Sequence, residues 1–127
     1  MNDKNTKYLL EKYPKLYREH SLPPSETCMC WLFCCGDGWF QLLDELSGKI
    51  LELDPNCVAV QVKEKFGGLR FYVGPTIDKV FDLIHEYESK SLKICENCGT
   101  DKNVKRVGTG WIYTRCPDCA RLLKKGV

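Results

Sequence analysis

Apolar residues recur at helical spacing near the start of the chain, where Tyr8, Leu9, Tyr13, Leu16 and Tyr17 share a stripe with Lys12 between Lys4 and His20. Pro14 falls inside that stripe and predicts a kink or restart. The three tyrosines are expected to pack over the core with their hydroxyls in water. Ser21 to Thr27, with Pro23 and Pro24, reads as a loop, and the apolar run Cys28 to Cys35 reads as buried. Gly36-Asp-Gly38 then predicts a turn with Asp37 as a helix cap, and Trp39 to Leu53 an amphipathic helix. At Cys57 the period changes to two, because Val58, Val60 and Val62 alternate with Ala59, Gln61 and Lys63. Leu69 to Val73 follows Phe66-Gly-Gly68, so the two runs predict an antiparallel hairpin with glycines at its turn. Thr76 is placed as the cap of a helix whose stripe is Ile77, Val80, Phe81, Ile84, Tyr87 and Leu92.

The last part of the chain carries the strongest chemical signal. Cys95 and Cys98, then Cys116 and Cys119, form two CxxC pairs at the separation of a four-thiolate zinc site. Two residues between paired cysteines let a tight turn aim both sulfurs at one ion, and two such turns complete a tetrahedral shell. Gly99 stands where a positive φ is often needed, and Pro117 where a helix can begin. Val104 to Val107 and Trp111 to Arg115 pair across Gly108-Thr-Gly110, and Ala120 to Lys125 predicts a short closing helix with a basic end. The fold class is therefore α+β: helices packed on a small antiparallel sheet over residues 1–92, followed by a zinc ribbon over 93–127 that packs on it. A shell of four thiolates leaves no open position for substrate, so one zinc ion would serve folding.

Composition narrows the class. A 127-residue chain with 43% hydrophobic and 28% charged residues is long enough for a compact core. The polar start, Met1 to Lys7, does not read as a secretory signal, and the eight-residue run from Cys28 is too short to cross a bilayer. Nine cysteines without an export signal point to free or metal-bound thiols in the cytoplasm. Cys28, Cys30, Cys34, Cys35 and Cys57 are read as core thiols, since Cys-x-Cys and Cys-Cys spacing makes no regular metal knuckle. Residues 1–90 carry 11 basic and 14 acidic side chains and residues 91–127 carry 8 and 3, a contrast that four thiolates and one zinc ion would reduce. Such a balance suits neither a DNA mimic nor a strongly basic DNA binder.

No Ser/His/Asp or Cys/His spacing, phosphate-cradling glycine loop or HExxH motif is present. Asp37, Asp44 and Glu45 read as a cap and a solvated helix face, and His20 and His85 as surface residues. Contact with a partner is assigned to Lys105, Arg106, Trp111, Tyr113 and Arg115, because aromatic and arginine side chains dominate interface energies. Lys63, Lys65 and Arg70 beside an aromatic strand read as solvated strand charges, with contact to nucleic acid or an acidic protein surface as the alternative. The ribbon also admits a nucleic-acid-binding role in transcription or DNA processing.

The strings MCWLFCCGDGWFQLLDEL (residues 29–46), VAVQVKEKFGGLRFYV (58–73) and GWIYTRCPDC (110–119) resemble a small protein family widespread in phages and prophages. Cys34 departs from that pattern, which more often has an acidic residue there, so no role passes to it. The resemblance implies a protein that binds and disables a host machine. Anti-CRISPR proteins are one such class, and the implied partner is the RNA-guided nuclease of a type II system in the bacterial cytoplasm.

Overall fold

The computed structural model describes residues 1–125, with the burial of side chains described through Leu122. Its elements run α1 (Asp3–Lys12), β1 (Phe33–Cys34), α2 (Phe40–Leu53), β2 (Ala59–Lys65), β3 (Gly68–Val73), α3 (Asp78–Ser91), β4 (Lys105–Val107), β5 (Tyr113–Arg115) and α4 (Pro117–Lys125), with 3-10 turns at Arg18–Ser21, Met29–Trp31 and Asp37–Trp39. The α+β class is as read from the sequence.

The first helix stops before Pro14, at Lys12, and Asn2 caps its start by accepting from the Asn5 amide at 2.8 Å. The tyrosines depart from the expectation of hydroxyls in water. Tyr8 is half-exposed, but Tyr13 and Tyr17 are buried. Their hydroxyls meet α2: Tyr13 donates to Asp44 Oδ1 at 2.6 Å, and Tyr17 lies 2.6 Å from Ser47 Oγ. A buried hydroxyl without a partner loses its water bonds for nothing, so polar residues inside the α2 stripe fix where these rings sit.

The principal sheet has the order β1-β2-β3. The predicted antiparallel hairpin is present, with Lys65 opposite Gly68, and β1 adds two residues parallel to β2. The sheet is thus mixed rather than purely antiparallel. Phe66 (φ 55°) and Gly67 (φ 83°) form the two-residue connection, both left-handed as the primed turns of tight hairpins require. The outer edge of β3 is not left open, because the Leu69 amide donates to Ser91 Oγ at 3.0 Å and the Phe71 amide to Glu88 Oε2 at 2.9 Å.

Two assigned caps do other work. Asp37 accepts from the Asn2 amide at 2.7 Å and from Asn5 Nδ2 at 3.2 Å, tying α1 to the turn before α2. Thr76 donates to Asp54 Oδ2 at 2.6 Å, while α3 begins after Ile77 with no side-chain cap. The core is a single cluster in which Leu9, Tyr17, Met29, Trp39, Leu43 and Tyr87 are fully buried.

Candidate metal centre

After α3 the chain turns tightly. The Cys95 amide donates to the Thr100 carbonyl at 2.8 Å and the Gly99 amide to the Cys95 carbonyl at 2.9 Å. Gly99 has φ 83°, a conformation that a residue with a Cβ adopts only under strain, as the sequence suggested. The second pair sits at a strand-to-helix junction: Cys116 follows β5, Pro117 is the first residue of α4, and Cys119 lies in its first turn. A helix start carries unpaired amides and a positive dipole end, both favourable to thiolates. The basic end assigned to this helix, Lys124 and Lys125, lies outside the described side chains, and residues 126 and 127 outside the described chain.

All four sulfurs, of Cys95, Cys98, Cys116 and Cys119, lie within 4.8 Å of one another, and Cys98 Sγ is 3.7 Å from Cys116 Sγ. A tetrahedral ion with metal–sulfur bonds of about 2.3 Å sets its ligands about 3.8 Å apart, so the donor set fits a metal ion. Burial alone would push the Cys95 thiol up, but amides of Cys98, Cys116 and Asn97 outweigh it and hold that thiol down at about 6. Asn97 Nδ2 donates to Cys119 Sγ at 3.3 Å, supporting the shell from outside.

The centre is clamped to the rest of the chain at two places. At the knuckle, the Gly38 amide donates to the Glu96 carbonyl at 2.8 Å and Trp39 Nε1 to the Ile94 carbonyl at 3.0 Å. A Cβ on Gly36 would stand 2.1 Å from the Glu96 carbonyl oxygen, and one on Gly38 2.0 Å from that of Cys95. The Gly-Asp-Gly segment is therefore the seat of the metal knuckle. At the far end, the Thr114 hydroxyl donates to the Gly67 carbonyl and the Arg106 guanidinium to the Phe66 carbonyl. The segments at Gly36–Trp39 and at Phe66 and Gly67 are thus the two surfaces that receive the ribbon.

Glu96 is buried against this junction, only 6% exposed, with Oε1 lacking a partner among the described residues, as does Arg115 Nε. Burial, then the nearby Glu64 charge, pushes its carboxyl up to about 7.

The residues assigned to partner contact divide. Trp111, Lys105 and Arg106 are exposed, Trp111 at 66%. Tyr113 and Arg115 are half-buried, the guanidinium 5.1 Å from the Tyr113 ring centre. Phe66, which the sequence marks only as a turn residue, is 58% exposed beside this group. The available signal was a phenylalanine where such turns favour asparagine.

The remaining cysteines correct the core-thiol reading. Cys35 and Cys57 are buried, but Cys28 and Cys34 are exposed and Cys30 is half-buried. Burial pushes the Cys35 thiol up to about 12 and raises that of Cys57. Met29 and Phe33 take the core positions of this run, leaving the thiols beside them outside. Among the described residues, the only grouping of three or more potential ligands within ion-binding distance is the one at Cys95, Cys98, Cys116 and Cys119. His85 is exposed and pairs with Glu88 at 3.6 Å, and Asp44 and Glu45 hold Tyr13 and Tyr87 hydroxyls. No helix of the described residues is long and apolar enough to cross a membrane. Comparison with protein-family models, curated proteins and solved structures returned no match for this chain.

Proposed function

We propose that zinc fills the four-cysteine site and that the chain acts by binding rather than catalysis, as an inhibitor of a host defence machine, most concretely the RNA-guided nuclease of a type II system in the bacterial cytoplasm. The observation that supports a binding role is the division of labour in the ribbon. Its sulfurs would close a complete shell, which gives the ion a structural task, while Trp111 and Lys105 stand in solvent beside Arg106. Exposed aromatic and arginine side chains beside a rigid module are what an interface uses as anchors. The partner class rests on the resemblance of the three sequence strings.

The test mixes purified, metal-loaded chain with the nuclease, its guide RNA and a target duplex. The proposal expects a one-to-one complex, arrest of cleavage near one equivalent, and loss of both when Lys105, Arg106 and Arg115 are reversed to glutamate. Unchanged cleavage at large excess of inhibitor sinks it. A second reading, a ribbon that binds nucleic acid as a regulator, is favoured by the basic side chains that flank the exposed aromatics.

A further inference from the structure

Cross-strand register places Gln61 opposite Tyr72, Lys63 opposite Arg70 and Lys65 opposite Gly68 on one face of the hairpin. The alternate pairs, Val62 with Phe71 and Glu64 with Leu69, face the other way, where Val62, Leu69 and Phe71 enter the core. The outward face therefore collects the basic residues of both strands and an exposed tyrosine. It does not end at the turn. Between the hairpin tip and the ribbon loop lies a cleft of about 240 Å³ walled by Lys63, Glu64, Lys65, Phe66, Trp111 and Ile112. A second concavity of about 500 Å³ shares Lys63 and extends past Gln61 and Tyr72. The two make one strip with Tyr72 at one end and Phe66 and Trp111 at the other.

Where the aromatics are, cations outnumber carboxylates, with Lys63 and Lys65 against Glu64. Lys65 Nζ lies 5.6 Å from the Phe66 ring centre, and Arg106 reaches the Phe66 carbonyl. Glu64, the carboxylate at this end, accepts from the Gly67 amide at 2.8 Å. Glu26 stands at the opposite rim. Phe66 also occupies its turn at φ 55°, where asparagine or glycine would sit with less strain. A large apolar ring held exposed in an unfavourable backbone conformation points to a use for the ring.

We propose that this strip binds single-stranded nucleic acid, with unpaired bases stacking on Phe66 and Trp111 and phosphates following Lys63, Lys65 and the neighbouring Arg106. Bases stack on aromatic faces whatever their identity, and lysines beside them neutralise the backbone. An acidic peptide would use the cations but leave both rings in water. A duplex hides its base faces, so the aromatics would again be idle. This deepens the nucleic-acid reading of the ribbon and does not depend on the nuclease as partner.

The test uses the full, metal-loaded chain and fluorescence anisotropy of labelled oligothymidylate and oligouridylate, with a duplex and an oligoglutamate peptide as competitors. Single strands are expected to bind at low salt and weaken as salt rises. Trp111→Ala and the pair Lys63→Ala with Lys65→Ala are each expected to weaken binding about 5- to 100-fold, with metal content and circular dichroism unchanged. Absence of single-strand binding at low salt overturns the proposal, as does equal binding by Trp111→Ala. Preference for the peptide overturns it in favour of a protein partner. Binding of duplex alone overturns it while leaving a duplex-binding ribbon standing.

Discussion

The body of the chain and its ribbon stay folded for different reasons. The body gathers twenty buried side chains from α1 through α3 into one cluster, and its buried hydroxyls find partners on neighbouring elements. The ribbon's apolar cluster is Cys95, Cys116 and Cys119 with Val104 against them. Apolar burial scales with area, so the body holds itself together and the ribbon needs the ion. The difference predicts that one region unfolds without the other.

Chelation gives the largest effect. Metal binding supplies on the order of 10 kcal/mol to a module this small. Removing the ion is expected to abolish amide protection at Cys95, Glu96 and Gly99 while α2 and β2 retain theirs, as hydrogen exchange would show. Loss of protection across both regions at once would erase the distinction.

The glycine seat comes next. Gly38→Ala forces a Cβ onto the Cys95 carbonyl and is expected to destabilise the chain by about 3 kcal/mol and loosen metal retention. Gly48→Ala, inside α2 with its nearest contact a Tyr13 hydroxyl at 3.4 Å, is expected to raise stability by up to about 1 kcal/mol. Chemical denaturation with metal analysis separates the two.

Glu96 joins the regions and gives a pH signature. Its folded carboxyl titrates near 7, above its usual value, so folding favours the protonated form. That contribution is full at acid pH below the unfolded value and is lost as pH rises towards 7. Glu96→Gln is therefore expected to gain stability relative to the parent as pH rises from about 5 to about 7, and to keep that gain at higher pH. Taking the difference between the two proteins cancels the proton dependence of the thiolates, and parallel melting curves across that range would refute the assignment.

The smallest effect sharpens the comparison from the other side. Phe66→Asn suits the left-handed turn and is expected to stabilise the chain by about 1 kcal/mol while weakening single-strand binding. Stability and binding moving together would show that the ring serves the fold.

How far the sequence disclosed this arrangement depends on the distance between interacting residues. The four ligands, the hairpin and α2 were legible because each is set by local spacing. The tyrosine hydroxyls were not, since Asp44 and Ser47 lie about thirty positions away and look like ordinary helix-face residues. Asp37 and Thr76 were assigned as caps because a polar residue before a helix usually is one, yet each bonds a distant segment. The strand β1 has two residues, too few to show a period. The glycines at 36 and 38 suggested a turn, and only the carbonyls that approach them explain why no side chain is allowed.

Those carbonyls belong to Cys95 and Glu96, Trp39 Nε1 reaches a third on Ile94, and what the body recognises at that end is main chain rather than side-chain identity. Recognition of this kind is indifferent to what the ribbon displays outward. A ribbon of different surface sequence, grafted between Ile94 and Cys119 with its knuckle geometry intact, would find the same seat. The body is thereby a socket at this end, and the exposed residues of the tail, apart from the Arg106 that holds the far end, can be rewritten without redesigning the joint.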